Sequence, residues 1–458
     1  MAPYPSAFLE ANRRTLVLAL PIVAGLLGQM LMGVTDTLMV GHVGVVPLAA
    51  CSFANTLLVM PMVFGFGLLS AVSVSVSHAH GARNRRQAGE SLRAGLAIAL
   101  AMGLAAGIAA LAGVGHLAVF GQPAEVNSAV GRYLVLCAWS MAPVFLTGTL
   151  KNFSEALDRP WPPFWIMMGG VAANVVLNWI LIYGHLGAPA MGLDGAGLAT
   201  LLSRVLTLAA MAAYPRFCPI LRHHLPARWL AGGVRTEAAR LSAVGLHSAG
   251  LGLCEVGGFS VGSLMMGWLG VVPMAAHQIA LSCAATTFMV PLGLGQAVSV
   301  RVGHCRGGDR GPEIPDVVHG ALLLTVAAMA AFAIVYLSLG RSIAHGFSDD
   351  AAVIALTATL LAMAGIFQVF DGIQVVAAGA LRGFGDTRVP FQIGIVSYWL
   401  VALPVSWTAA FPMGFGAPGV WAGFVCGLGI AAMAMGTRIL RMVSRPLEQG
   451  AGRERPGS

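Results

Sequence analysis

Apolar stretches of about 20 residues, the length a helix needs to cross roughly 30 Å of hydrocarbon, recur along almost the whole chain. Their approximate limits are 15–40, 47–76, 94–114, 128–150, 163–184, 192–214, 240–265, 273–300, 317–340, 352–378, 391–411 and 417–438. The intervals between them are short and leave no room for a water-soluble domain. The pattern therefore predicts an all-α polytopic membrane protein with twelve transmembrane helices. Arg13 and Arg14 stand directly before the first run. No small-residue cleavage site follows a short apolar region there, so the run is expected to remain as the first span.

Composition agrees with the pattern. Hydrophobic residues make up 57% of the chain and charged residues only 10%, against about 25% charged in soluble domains. The net charge of +8 could suggest nucleic acid, but its distribution excludes that reading. With the N-terminus placed on the cytoplasmic side, 23 of the 26 basic residues fall in cytoplasmic segments, as the positive-inside rule requires. Arg132 and Arg341 lie outside, and Arg204 lies inside the sixth run. Both termini are then cytoplasmic, which itself demands an even number of spans. The seven cysteines show neither metal-ligand spacing nor a disulfide framework, and five fall within apolar runs where they read as small buried apolar residues.

The first half of the chain can be laid on the second at an offset of 226 residues. LMVGHVGVVPLAA at 38–50 and LMMGWLGVVPMAA at 264–276 agree at nine of thirteen positions, and AVSV at 71–74 returns at 297–300. A duplicated unit of six spans follows. An even number of spans gives both copies the same orientation, related by an axis along the membrane normal as in parallel-repeat transporters. The expected organisation is an N-terminal six-helix bundle at 1–214, a solvated cytoplasmic linker at 215–239, a C-terminal six-helix bundle at 240–440 and a cytoplasmic tail at 441–458. A cleft between two such bundles can open to either side by rocking.

Charge inside a span costs about 2.5–3.5 kcal/mol on insertion scales and normally faces the bundle interior or water. Three carboxylates qualify: Asp36 in the first span, Glu255 in the seventh and Asp371 in the tenth. The plain alternative for each is a structural polar contact between helices. Under the repeat, Glu255 falls on Gln29 and Asp36 on Gly262, so the halves hold charge at different places. Asn174 and Asn178, four apart on one helical face, are expected to surround Asp36 in a polar pocket. Gln278, Gln368 and Gln374 are expected to share an interior face with Glu255 and Asp371. Arg204 has no obvious partner and reads as snorkelling or paired with a carbonyl. Methionine and phenylalanine, 22 and 20 residues respectively, are mostly packing, although those lining a cleft would suit dissimilar ligands. Trp161 and Trp165 read as interface anchors. No phosphate-binding G-x-x-x-x-G-K-[ST] run occurs and the only lysine is Lys151, which argues against ATP-driven transport. A membrane enzyme is disfavoured because loops are short and histidines such as His78 and His80 lack metal-ligand companions in the sequence.

The residues that carry a family resemblance are Pro21, Gln29, Asp36 and the VGHVG that follows, Glu255, LGVVPMAAHQIA at 269–280, Asp371, and ALRGFGDTRVP at 380–390. Together they resemble the multidrug and toxic compound extrusion family, particularly its NorM-type bacterial branch. The resemblance implies a V-shaped pair of six-helix bundles in the bacterial inner membrane. It implies export of cationic, amphiphilic drugs in exchange for Na+ or H+, with no other cofactor, no nucleic acid, membrane lipid as surroundings and a monomer as the working unit. Residues matching Glu255 and Asp371 are implied in cation coupling, as candidate Na+ ligands, and the pocket of Asp36, Asn174 and Asn178 in coupling or drug binding. Relatives often carry a tyrosine where this chain has Phe367, which keeps the ring but removes a hydroxyl from a Na+ site. The wider superfamily includes flippases of lipid-linked oligosaccharides and other lipids, the alternative activity.

Overall fold

The structure, a computed structural model, describes residues 5–226, 229 and 233–444. Among them twelve helical spans are present: span 1 Asn12–Gly41, span 2 Val45–Gly81, span 3 Arg85–Phe120, span 4 Ala124–Ala156, span 5 Trp161–Tyr183, span 6 Gly192–Phe217, span 7 Val234–Leu269, span 8 Val271–Gly307, span 9 Gly311–His345, span 10 Ala351–Gly383, span 11 Arg388–Ala410 and span 12 Gly416–Ser444. Each coincides with one apolar run of the sequence. Several helices extend past their run, because backbone hydrogen bonding continues beyond the hydrocarbon into layers where Arg85, Arg86 or Arg306 can be solvated.

Spans 3 and 9 carry 3-10 winding only at one end, over Val114–Phe120 and Gly311–Glu313; two other spans are interrupted within their length, and proline explains both. Span 4 is two helices, Ala124–Trp139 and Met141–Ala156, jointed at Ser140. Pro143 has no N–H to return to the carbonyl of Trp139, and its ring crowds that carbonyl. Span 11 is wound as a π-helix over Ile395–Ala402 between two α-helical pieces. Pro404 leaves the carbonyl of Leu400 without its usual partner, and the wider winding accommodates the change. Such π segments are common at functional sites.

The Gly-Val-Val-Pro turn that reveals the duplication has a conformational reason. Gly44 has φ 152° and Gly270 φ 120°, backbone shapes that a side chain would oppose. Each immediately precedes the first residue of a span, Val45 or Val271. The same strained joint therefore starts spans 2 and 8, at the 226-residue offset.

Contacts between the halves gather at the arginine-bearing ends of the spans. Span 2 runs along span 7, where a Cβ on Gly67 would strike the backbone of Ala249 and one on Gly245 the backbone of Leu68. Further along, Gly81 lies against the His304 carbonyl and Gly307 against the His78 carbonyl, approaches that only glycine permits. Two histidines related by the repeat reach across reciprocally. The His78 Nε2 is 2.6 Å from the Gly383 carbonyl oxygen and the His304 Nε2 is 2.7 Å from the Ala156 carbonyl oxygen. Toward the other ends each half turns back on itself: Asp36 and Met39 meet Asn178 and Tyr183 within the first half, and Ser263 meets His277 within the second. The molecule is a V closed at its arginine-bearing end.

The expected linker is not wholly solvated. Pro219–His224 forms a short helix in which Leu221 and His224 are buried, and a Cβ on Gly89 of span 3 would meet the His224 carbonyl. Residues 227, 228 and 230–232 of the linker and 445–458 of the tail lie outside the described residues. The cysteines of the spans also divide: Cys51 and Cys137 are buried, Cys254 and Cys283 half-buried, and Cys426 exposed, so not every one fills a core.

Candidate functional site

The structure brings the first-half candidates together. Spans 1 and 5 pack so that the Asn178 side-chain amide donates to an Asp36 carboxylate oxygen at 2.5 Å. The same amide donates to the Asn174 side-chain carbonyl at 3.2 Å. Both asparagines are fully buried, as the four-residue spacing on one helix face predicts. The Asn174 amide faces the Ser203 hydroxyl of span 6 at 3.5 Å. Arg204, the next residue, neither snorkels to the interface nor takes a carbonyl here; its guanidinium donates to the Ser140 hydroxyl at 2.6 Å and attracts Asp36 electrostatically. The joint in span 4 is what presents Ser140 to it. The first-half pocket is thus a carboxylate held by an amide in the field of one cation.

The second half assembles a different group. Glu255 of span 7 and Asp371 of span 10 act on each other electrostatically, and both act on the Tyr398 phenol of span 11. Asp371 is 4% exposed, and its Oδ1 has no hydrogen-bond partner. Gln374 exchanges hydrogen bonds with Tyr398: its amide N–H donates to the phenol oxygen at 3.0 Å, and the phenol lies 3.2 Å from its carbonyl oxygen. Gln368 turns instead to span 8, donating to the Ala284 carbonyl at 3.0 Å and to the Thr287 hydroxyl. Phe367 is buried, with ring centroids 5.8 Å from Phe259 and 5.7 Å from Trp421. Gln278 does not join this face. It is exposed, because its neighbour His277 occupies the inward side of span 8, accepting from the Trp421 indole at 3.2 Å and meeting the Ser263 hydroxyl at 3.0 Å.

Sequence reasoning missed Tyr398, Tyr133 and His277. Tyr398 sits inside the π segment, whose winding no apolar run announces. Tyr133 lies 3.3 Å from the Cys51 thiol, within the first-half bundle. The available signal was scarcity: the chain has only six tyrosines, and a tyrosine deep in a span must find a partner for its hydroxyl. His80, read as lacking metal-ligand companions, has two in space: Asp158 and His304.

A buried and a half-buried acid with no guanidinium or ammonium facing them among the described residues, one keeping a free oxygen, can hold a small cation or a proton. A carboxylate bonded to an amide near an arginine is closer to neutral balance and better suited to orienting a ligand.

Comparison with known proteins agrees with this geometry. The MatE family model matches residues 21–180 and 249–408, two stretches that repeat the internal duplication. A "Probable multidrug resistance protein NorM" of Bradyrhizobium diazoefficiens is 37% identical over 437 residues, 94% of each chain. The "Multidrug resistance protein NorM" of Aliivibrio fischeri is 33% identical over 94% of this chain and 95% of its own. Among solved structures, a variant of the Vibrio cholerae MATE transporter VcmN superposes with a TM-score of 0.87 at 18% identity, over 96% of this chain and 98% of its own.

Proposed function

The chain belongs to the MatE family, a family of transporters and not of enzymes, and from that premise we propose that it is a multidrug efflux antiporter. It exports cationic, amphiphilic drugs through the cleft in exchange for Na+ or H+. The observation that carries this reading is Asp371, buried beside Tyr398 with one carboxylate oxygen left unbonded and interacting with the half-buried Glu255. A buried carboxylate without a donor is costly, and an entering cation or proton removes that cost. The relatives' names support a drug as the exported molecule.

Each step falls to residues of this chain. In the outward-open V, the entering cation neutralises Glu255 and Asp371. Drug bound in the cleft loses its electrostatic hold as the acids are neutralised, so cation and drug compete through charge. Asp36, oriented by Asn178 and balanced by Arg204, holds the cationic end of the drug in the first half. The driving force has a known scale. A potential of 100 mV supplies about 2.3 kcal/mol per charge moved inward, and a tenfold ion gradient supplies about 1.4 kcal/mol. One-for-one exchange of a monovalent cationic drug cancels the electrical part and runs on the ion gradient alone. The protein works as a monomer in the bacterial inner membrane, with both termini cytoplasmic. The concentration of 23 of 26 basic residues in the corresponding segments supports that placement.

The test is drug efflux from proteoliposomes under Na+ and pH gradients imposed separately. Either gradient alone should drive export of a lipophilic cation. Export insensitive to both, together with transbilayer movement of a lipid-linked sugar, would replace this reading with the flippase alternative.

A further inference from the structure

A second constellation of ligating side chains lies away from both intramembrane pockets, at the closed end of the V. We propose that His80, Asp158 and His304 form a transition-metal site, suited to Zn2+, that ties the two halves together there. His80 and Asp158 belong to the first half and His304 to the second. One ligand atom from each lies within 4.8 Å of the others. Three protein donors with two imidazoles and one carboxylate, leaving a fourth position to water, are a set that zinc accepts and that magnesium or calcium does not favour.

The hydrogen bonding of His304 prepares it as a ligand. Its ring is buried, and its Nε2, 2.7 Å from the Ala156 carbonyl oxygen, must carry the hydrogen and donate it. When the ring is neutral it presents an unprotonated Nδ1, and that atom faces an Asp158 carboxylate oxygen at 3.7 Å. In that state the two acceptors have no hydrogen to share, and a cation between them satisfies both. A backbone carbonyl that fixes the tautomer is the usual support for a metal-bound histidine. The separation is close to the roughly 3.4 Å edge implied by zinc–ligand bonds near 2.0–2.1 Å in a tetrahedron. The rings of His80 and His304 stand 5.1 Å apart, and the site opens into a cavity of about 600 Å³. Arg310, which also lines that cavity, is paired with Glu313 at 3.5 Å, and Arg83 and Asp309 complete the charged part of the lining.

The duplication supplies an internal control. At the 226-residue offset His304 corresponds to His78, His80 to Arg306 and Asp158 to Phe384. His78 keeps the reciprocal bond across the halves. Its surroundings have become a cation–π pair instead, with Arg306 over the Phe384 ring at 5.9 Å. The latch is thus present twice and the donor set once.

Metal bound here holds the closed end shut, and this consequence rests on the transport reading above, whereas binding itself does not. The experiment uses full-length protein freed of any histidine tag. Zn2+ titrated into the detergent-solubilised protein should bind at one site, measured by calorimetry against a competing chelator. Affinity should fall at least tenfold in His304→Ala, Asp158→Asn and the half-exposed His80→Gln, and stay unchanged in His78→Ala. Absence of micromolar binding, or binding that the three ligand variants leave intact, overturns the site. In proteoliposomes, Zn2+ supplied to the arginine-bearing face should slow efflux by the unaltered protein at least several-fold and leave His80→Gln unaffected. Equal slowing in both overturns the clamp. Failure of metal-free protein to transport any drug bears on the transport reading alone, since the calorimetric arm does not depend on it.

Discussion

The two halves share a backbone plan down to the glycine joint before spans 2 and 8, yet they place their polar groups at different positions along corresponding helices. In the first half a single carboxylate, Asp36, is bonded to Asn178 at 2.5 Å and faces the charge of Arg204. In the second, Glu255 and Asp371 share one locality with a phenol and an amide that are bonded to each other. Position by position, Asp371 corresponds to Phe145 and Asp36 to Gly262. Duplication thus preserved the scaffold, whose requirements are steric, and freed the charges. The lesson is a division of labour: a balanced pocket can orient a ligand through repeated cycles, whereas an unbalanced acid pair changes state when a cation arrives.

The most damaging change to this contrast should be the double variant Glu255→Gln, Asp371→Asn. It removes two charges with little change in shape, so the protein should insert normally. Ion-driven accumulation should fall by about two orders of magnitude, the range that a few kcal/mol of coupling can sustain. Efflux measured under a Na+ or pH gradient checks it. Full ion-coupled transport by the double variant would move coupling out of the second half altogether.

A smaller effect is expected of the first half. Asp36→Asn should weaken transport of a cationic drug about tenfold, equivalent to about 1.4 kcal/mol, while the ion gradient that half-saturates transport stays in place. Asn178→Ala strips the carboxylate of its bonded amide, and loss of a hydrogen bond to a charged group is worth about 1.5–3 kcal/mol, so it should resemble Asp36→Asn. The readout is drug affinity at saturating ion. If Asp36→Asn instead shifts the ion dependence and leaves drug affinity alone, the two roles are exchanged.

Much of this arrangement was legible before any coordinates. Span number, the duplicated halves, the buried face shared by Asn174 and Asn178, and the three intramembrane acids follow from hydropathy, offset and helical period. What could not be read were contacts set by departures from that period. Tyr398 reaches Gln374 from a π-helical turn, Ser140 reaches Arg204 from a broken span, and His304 finds Asp158 across the interface between halves. Gln278 was misplaced because its neighbour His277 takes the inward side, and periodicity cannot tell which of two adjacent polar residues faces in.

Tyr398→Phe tests whether the phenol belongs to the cation site or only steadies Gln374. The change leaves the buried Gln374 amide without its partner, and a neutral hydrogen bond is worth about 0.5–1.5 kcal/mol. Apparent Na+ affinity should fall about three- to tenfold, with drug affinity little altered. Equal loss of both would make Tyr398 a packing residue common to the two halves rather than a distinguishing feature of the second.

The mildest change adds a group instead of removing one. Phe367→Tyr places a hydroxyl at the tip of a ring wedged between Phe259 and Trp421, one helical turn before Asp371. In a site that takes Na+, the oxygen becomes a further ligand, and hard cations bind more firmly as oxygen ligands are added. In a site that takes only a proton it has no use. Its hydroxyl would then need a partner among aromatic rings, at a cost of about 1–3 kcal/mol if it finds none. The two possibilities therefore predict opposite signs from one substitution. A roughly twofold gain in apparent Na+ affinity, with unchanged response to pH, is the expected result in proteoliposomes carrying separate Na+ and pH gradients. A loss of thermal stability without any gain in Na+ response would mark the second-half acids as a proton site, and would narrow the contrast between the halves to the number of carboxylates alone.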